Sequence, residues 1–158
     1  MKIAIGSDKS GFLLKESIKS FLKDSGIEVD DMGTQSIEKG IPFYVVANKV
    51  APLVQNGTYK KAILICGTGM GMSIVSNKYK NVYAACVESV YTTKLARAIN
   101  NANILCLGGW HTAEIKGVEM VKTFLNTEFL QDLEDWRQEF LKNAEMQVKE
   151  IENSIYDK

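Results

Sequence analysis

The sequence predicts a doubly wound α/β sandwich built on a five-stranded parallel sheet. Two observations carry this. Five short apolar runs, residues 2–7, 27–31, 61–66, 82–87 and 103–107, lack the period-two alternation of a strand with one wet face. Such runs suit strands buried on both sides, as in a parallel sheet. Amphipathic stretches with helical spacing lie between them, and βαβα alternation selects a sheet flanked by helices with right-handed crossovers.

Taken in order, the first run ends in Ser7-Asp8-Lys9 and is followed by a helical stripe of Phe12, Leu13, Ile18, Phe21 and Leu22, stopped by Gly26. The second run leads to Gly33-Thr34 and a stripe of Val45, Val46, Val50, Leu53 and Val54, which Pro52 is expected to kink or shorten. The third run ends at Cys66 and passes directly into Gly67-Thr68-Gly69-Met70-Gly71, which opens a helix expected to reach about Lys78. The ligand site of such a sheet lies beyond the carboxyl ends of its strands. The loops at Asp8, Gly33-Thr34 and Cys66 are therefore expected to converge on one crevice. Residues 133–155 carry Trp136, Phe140, Leu141, Ala144, Val148, Ile151 and Ile155 at helical spacing, a long final helix expected to dock on a partner subunit rather than on its own domain.

Bulk properties narrow the function. A chain of 158 residues, 46% apolar and 24% charged, suits one compact domain. Nineteen basic and nineteen acidic residues cancel, with no basic patch for nucleic acid or an anionic membrane surface. No window has the apolar length of a membrane span, and the N-terminus lacks the pattern of a signal peptide. The three cysteines Cys66, Cys86 and Cys106 form no CxxC pair, which argues against a disulfide framework or a zinc site and for reduced thiols in the cytoplasm. Cys86 and Cys106 read as small buried hydrophobes.

Cys66 stands apart because the glycine loop follows it. Glycines there let backbone amides approach a ligand, and a helix N-terminus favours negative charge. The loop has neither the lysine of a triphosphate-binding loop nor the GxGxxG spacing of a dinucleotide site. A thiol beside such amides is stabilised as thiolate. It could serve as a nucleophile, which usually needs a paired histidine, and the chain has only His111. It could equally serve as a base next to a carbonyl, with the loop amides, Thr68 and Asp8 supplying donors and a proton shuttle.

The segments Ile5-Gly6-Ser7-Asp8, Gly33-Thr34, Ile65-Cys66-Gly67-Thr68-Gly69-Met70-Gly71-Met72-Ser73, Asn77-Lys78 and Asn100-Asn101-Ala102-Asn103-Ile104-Leu105-Cys106-Leu107-Gly108 resemble the ribose-5-phosphate isomerase B / galactose-6-phosphate isomerase (RpiB/LacA/LacB) family, in the family's order from Met1 to about Phe129. The resemblance implies a Rossmann-like three-layer sandwich over residues 1–129, with residues 130–158 as a C-terminal helical extension. It implies a homodimer or homotetramer with sites shared between subunits. The chemistry implied is aldose–ketose isomerisation through a cis-enediolate, without metal or other cofactor. Cys66, Thr68 and Asp8 match the catalytic positions. Gly67, Gly69, Met70 and Gly71 match the substrate loop, Asn100 the loop asparagine, and Tyr44 a substrate-facing tyrosine.

The departures bear on substrate. Phosphopentose members typically read Ser-Asp-His-Ala-Gly in the first loop, where this chain has Ser7-Asp8-Lys9-Ser10-Gly11. They carry a ring-opening histidine where this chain has Ile99, and an arginine near the position of Leu133. Arg137 stands for a second arginine, Lys9 is a candidate anion contact, and Arg97 also matches a family arginine. Isoleucine cannot move a proton, so an open-chain substrate with a carboxylate is expected. The similar subgroup acts on 4-deoxy-L-threo-5-hexosulose uronate. Ribose 5-phosphate, galactose 6-phosphate and tetrose phosphates stay open, as do a non-catalytic partner subunit and a Cys–His hydrolase using His111. Trp110 and His111 follow the carboxyl end of the last strand, which makes them candidates to line the pocket, and they are given no catalytic role.

Overall fold

Five parallel strands form one sheet in the computed structural model, which describes residues 2–157. They are β1 (Lys2–Ser7), β2 (Glu28–Asp31), β3 (Ala62–Cys66), β4 (Ala84–Cys86) and β5 (Ile104–Gly108), in the spatial order β2-β1-β3-β5-β4. The helices are α1 (Phe12–Asp24), α2 (Phe43–Gln55), α3 (Met70–Ser76), α4 (Val90–Ala98), α5 (Glu114–Asn126) and α6 (Asp135–Tyr156). The apolar runs lack alternation because both sheet faces are covered. Ile3, Ile5, Ile63, Ile65, Leu105 and Leu107 bury toward α1 and α5. Ala4, Ala62, Leu64, Ile104 and Cys106 bury against α2 and α3 on the other side.

Two sequence expectations shift in detail. Pro52 does not shorten α2, which runs to Gln55; the proline sits in the last turn, and its carbonyl still accepts from the Asn56 N–H at 3.0 Å. The helix after the glycine loop ends at Ser76, where the Asn77 side chain turns to bond both N–H and C=O of Ala84.

The strand order sets the site. β1 and β3 are neighbours although β2 separates them in sequence, so the winding reverses between them. α1 leaves β1 toward one face and α3 leaves β3 toward the other, which opens a crevice at their carboxyl ends. β5 lies on the far side of β3, paired from Ala62↔Ile104 to Cys66↔Gly108. Three strand exits therefore meet around Cys66.

A buried cation braces the rim of this crevice. Lys15 has no solvent exposure. Its Nζ donates to Asp31 Oδ2 at 2.5 Å and to the Thr34 carbonyl at 2.6 Å. Lys19 shares the same carboxylate at 2.6 Å, and Asp31 Oδ1 accepts from the Gly33 N–H at 3.0 Å. Burial pushes the Asp31 carboxyl up, but the hydrogen bonds from Lys15, Lys19 and Gly33 outweigh it and hold the group below its ordinary value of 3.8. The network clamps α1 to the loop after β2.

α6 crosses the N-terminal edge of the sheet. Leu141 is its buried residue, Glu145 accepts from Asn101 Nδ2 at 2.8 Å, and Glu152 accepts from the Asn81 N–H at 2.7 Å. The helix thus docks on its own domain along one face, while Trp136, Phe140 and Ile151 on the rest remain over 60% exposed.

Asp31→Asn leaves the buried Lys15 ammonium with only the partly exposed Glu16 carboxylate, 3.0 Å away, as counter-charge and is expected to cost about 3 kcal/mol at neutral pH. Because the folded-state value is depressed, Asp31 contributes stability above the ordinary carboxylate range and loses it as pH falls through the folded value. Urea unfolding at stepped pH should show the gap between wild type and variant closing below about pH 4. A gap independent of pH would contradict the ion-pair account.

Candidate active site

Cys66 closes β3 and is 4% exposed, its thiol at the floor of a small cleft of about 190 Å³. The cleft is lined by Asp8, Ser10, Phe43, Cys66, Gly67, Thr68, Gly71 and Trp110. The chain turns immediately after the strand. Gly69 takes φ +79°, a left-handed conformation natural to glycine, and its N–H swings back to donate to Cys66 Sγ at 3.1 Å. A side chain at Gly69 would also meet the Leu107 carbonyl carbon at 2.9 Å and Cys86 Sγ at 3.0 Å. The backbone N–H thus holds the sulfur against the glycine loop.

Thr68 forms the lip, its hydroxyl accepting from the Met70 N–H at 3.3 Å as α3 begins. Asp8 reaches the cleft from β1. Its N–H donates to the Ile65 carbonyl at 3.1 Å, and its Oδ1 accepts from the Gly11 N–H at 3.0 Å. Burial raises the Asp8 carboxyl above its ordinary value despite the N–H groups of Gly11 and Ser10. A carboxyl shifted this way is better suited to take up and return a proton near neutral pH. It is also the only carboxylate among the lining residues.

The other cysteines take no part of this kind. Cys106 is fully buried, and burial pushes its thiol well up. Cys86 is half-buried, its thiol also raised by burial, and it donates to the Thr68 carbonyl at 3.5 Å. The glycine loop is thereby supported from below by a neutral thiol.

The structure brings Cys66, Thr68, Asp8, Gly67, Gly69 and Gly71 together and places the remaining sequence candidates elsewhere. Tyr44 stands on the rim, 55% exposed, its ring edge-on to Phe43 at 5.4 Å. Phe43, one position earlier, makes the wall. Met70 is exposed at the start of α3. Lys9 is exposed and lays its stem over Gly40, outside the lining. Gly33 and Thr34 back the cleft, with the Thr34 N–H donating to the Ser7 carbonyl at 2.8 Å. Arg97 serves α5, donating to the Thr127 and Ala102 carbonyls at 3.2 and 2.7 Å.

Asn100 and Arg137 lie furthest from the thiol. Asn100 precedes β5, whereas Cys66 is level with Gly108 at its other end, so the length of a strand, roughly 13 Å, separates them. Arg137 opens α6 at the same N-terminal edge, and its guanidinium makes no hydrogen bond or ion pair among the described residues. His111 folds its ring against Gly108 and makes no side-chain hydrogen bond among the described residues, so the paired histidine of a Cys–His nucleophile is missing. Phe43 and Ser10 are the lining residues that sequence reasoning left out, whereas Trp110, expected near the pocket because it follows the last strand, does line the cleft. The signal for the two aromatics was the glycines themselves, because Gly67 and Gly71 are the positions on which their rings rest.

Comparison with known proteins identifies the family and the fold. The Ribose/Galactose Isomerase family model matches residues 3–140. A 4-deoxy-4-sulfo-D-erythrose isomerase from Clostridium sp. is 56% identical over 158 residues, covering 100% of this chain and 99% of that protein. Ribose-5-P isomerase B of Listeria innocua is 39% identical over 82% of this chain and 86% of its own. The solved structure of Clostridium thermocellum ribose-5-phosphate isomerase B superposes with a TM-score of 0.88 at 36% identity, covering 98% of this chain and 99% of that one.

Proposed function

This chain belongs to the Ribose/Galactose Isomerase family and is an aldose–ketose isomerase, and we propose that it acts on an open-chain, four-carbon sugar ending in a sulfonate. The observation that carries the chemistry is the Cys66 thiol, held by the Gly69 N–H beside Asp8 and Thr68. In the proposed reaction Cys66 takes the proton from C2 of the aldose. The electron pair moves into a C1–C2 enediolate, whose oxygens are met by the glycine-loop N–H groups and the Thr68 hydroxyl. Asp8 carries a proton between the two oxygens, and the thiol returns its own proton to C1 to give the 2-ketose. No cofactor is required by this sequence.

Two features support the substrate. The relative matched over its full length, α6 included, is named for 4-deoxy-4-sulfo-D-erythrose. Carbon 4 of that sugar bears sulfur instead of a hydroxyl, so no furanose can close and no ring has to be opened. Ile99, which cannot transfer a proton, then costs nothing. A sulfonate carries one negative charge, whereas a phosphate monoester carries nearly two at neutral pH. The cleft of one chain accordingly offers amides and no cation. The open-chain hexosulose uronate shares both properties, and the full-length likeness favours the sulfotetrose.

The oligomer is part of the proposal. Asn100 and Arg137 sit too far from their own Cys66 to touch one substrate molecule with it. They would complete the cleft of a second copy, with the exposed Trp136, Phe140 and Ile151 of α6 in the interface. The free guanidinium of Arg137 would then meet the sulfonate.

The purified chain alone should isomerise 4-deoxy-4-sulfo-D-erythrose with a kcat/KM about 100-fold above ribose 5-phosphate. Preference for the phosphopentose, or no turnover without a second gene product, would overturn the reading. Subunit sharing is tested by mixing two inactive variants, Cys66→Ser and Arg137→Ala, after reversible dissociation. A closed two-fold arrangement regains about a quarter of wild-type activity, one intact site per mixed dimer. Failure of any mixture to regain activity would place both residues in one chain's site.

A further inference from the structure

We infer that Trp110 is a specificity-determining residue that limits the length of the substrate chain, an assignment that rests on the open-chain isomerase reading above. The indole lies across Gly67, where an added Cβ would stand 2.8–2.9 Å from ring atoms Cε2, Cδ2 and Cζ2. On the opposite side Phe43 rests on Gly71, where a Cβ would meet its ring at 2.7 Å. The first and last glycines of the loop are thus seats for two aromatic rings, and the thiol lies between them. The cleft they leave, about 190 Å³, is below the roughly 300–1,000 Å³ usual for ligand pockets.

The backbone that carries the indole is fixed. The Gly109 N–H donates to the Cys66 carbonyl at 2.8 Å, and the Trp110 N–H donates to the Gly67 carbonyl at 3.1 Å. The exits of β3 and β5 are therefore laced together, and the loop that carries the indole cannot move away without breaking both bonds. Packing does not account for the residue, because the side chain is 74% exposed and belongs to neither core cluster. An open indole seated on the glycine loop beside the Cys66 thiol is a surface for ligand. It adds no charge, so it selects by shape. A chain of four carbons fits between the rings, and a longer one meets the indole.

The test compares two acyclic substrates that each carry one anionic terminus, so neither ring opening nor charge confounds chain length. These are 4-deoxy-4-sulfo-D-erythrose and the six-carbon 4-deoxy-L-threo-5-hexosulose uronate. Trp110→Ala should raise the uronate-to-sulfotetrose ratio of kcat/KM by about 10- to 100-fold. Trp110→Phe, which keeps a flat wall, should stay within about threefold of wild type. Sedimentation of Trp110→Ala should match wild type. An unchanged ratio, with both substrates falling together or the oligomer dissociating, makes the indole an interface contact and overturns the assignment. A wild-type enzyme inactive on the sulfotetrose would instead contradict the proposed function, and the length filter with it.

Discussion

The hydrogen bond from the Gly69 N–H to Cys66 Sγ imposes most of what surrounds it. To send that N–H back along the chain, residue 69 must take a positive φ. The carbonyl of Leu107 and the thiol of Cys86 press so closely that no side chain could be carried there. The turn in turn needs β5 beside β3 and β4 beside β5, because those neighbours supply the pressing atoms. A strand order in which β5 lay elsewhere would leave the thiol without its fixed donor. The sheet topology and the chemistry of the site are in this sense one constraint.

Around that turn the protein spends rigidity where the chemistry demands it. Lys15, Asp31 and Lys19 pin the loop after β2, and Thr34 of that loop holds Ile41 through a 2.9 Å bond from the Ile41 N–H. Phe43 follows two residues later and forms one wall of the cleft. The other wall, Trp110, is held by two backbone bonds to the cysteine's own strand exit. Polar groups that face the thiol are few, and each is oriented by a backbone partner. A preorganised site of this kind stabilises an enediolate without rearranging as charge develops.

Much of this was legible in the residues. Unalternated Ile, Leu and Val runs gave the parallel sheet, since both faces are buried. The glycine loop after Cys66 gave the site, since few other patterns put amides against a strand-end thiol. What stayed hidden was anything that depends on distance between remote segments. Tyr44 and Phe43 are adjacent in sequence, and only the phase of α2 decides which ring enters the cleft. Lys15 reads as one polar residue in an amphipathic helix, and its burial appears only when Asp31 and Thr34 are brought to it. Asn100 sits in the chain close to β5, but nothing in its sequence says that it lies at the wrong end of that strand to reach Cys66. The final helix was read as an interface, whereas one of its faces closes the chain's own edge through Leu141 and Glu145.

The central claim is that the Cys66 thiol moves a proton between C2 and C1. Isomerisation of 4-deoxy-4-sulfo-D-erythrose in D₂O, followed by proton NMR, tests it most directly. Wild type is expected to carry part of the C2 proton to C1 of the ketose, with solvent deuterium filling the remainder as the thiol proton exchanges, and to exchange the C2 proton of residual aldose. Cys66→Ser should do neither, with its fold intact by circular dichroism. Turnover and exchange at the wild-type rate in the serine variant would contradict the account.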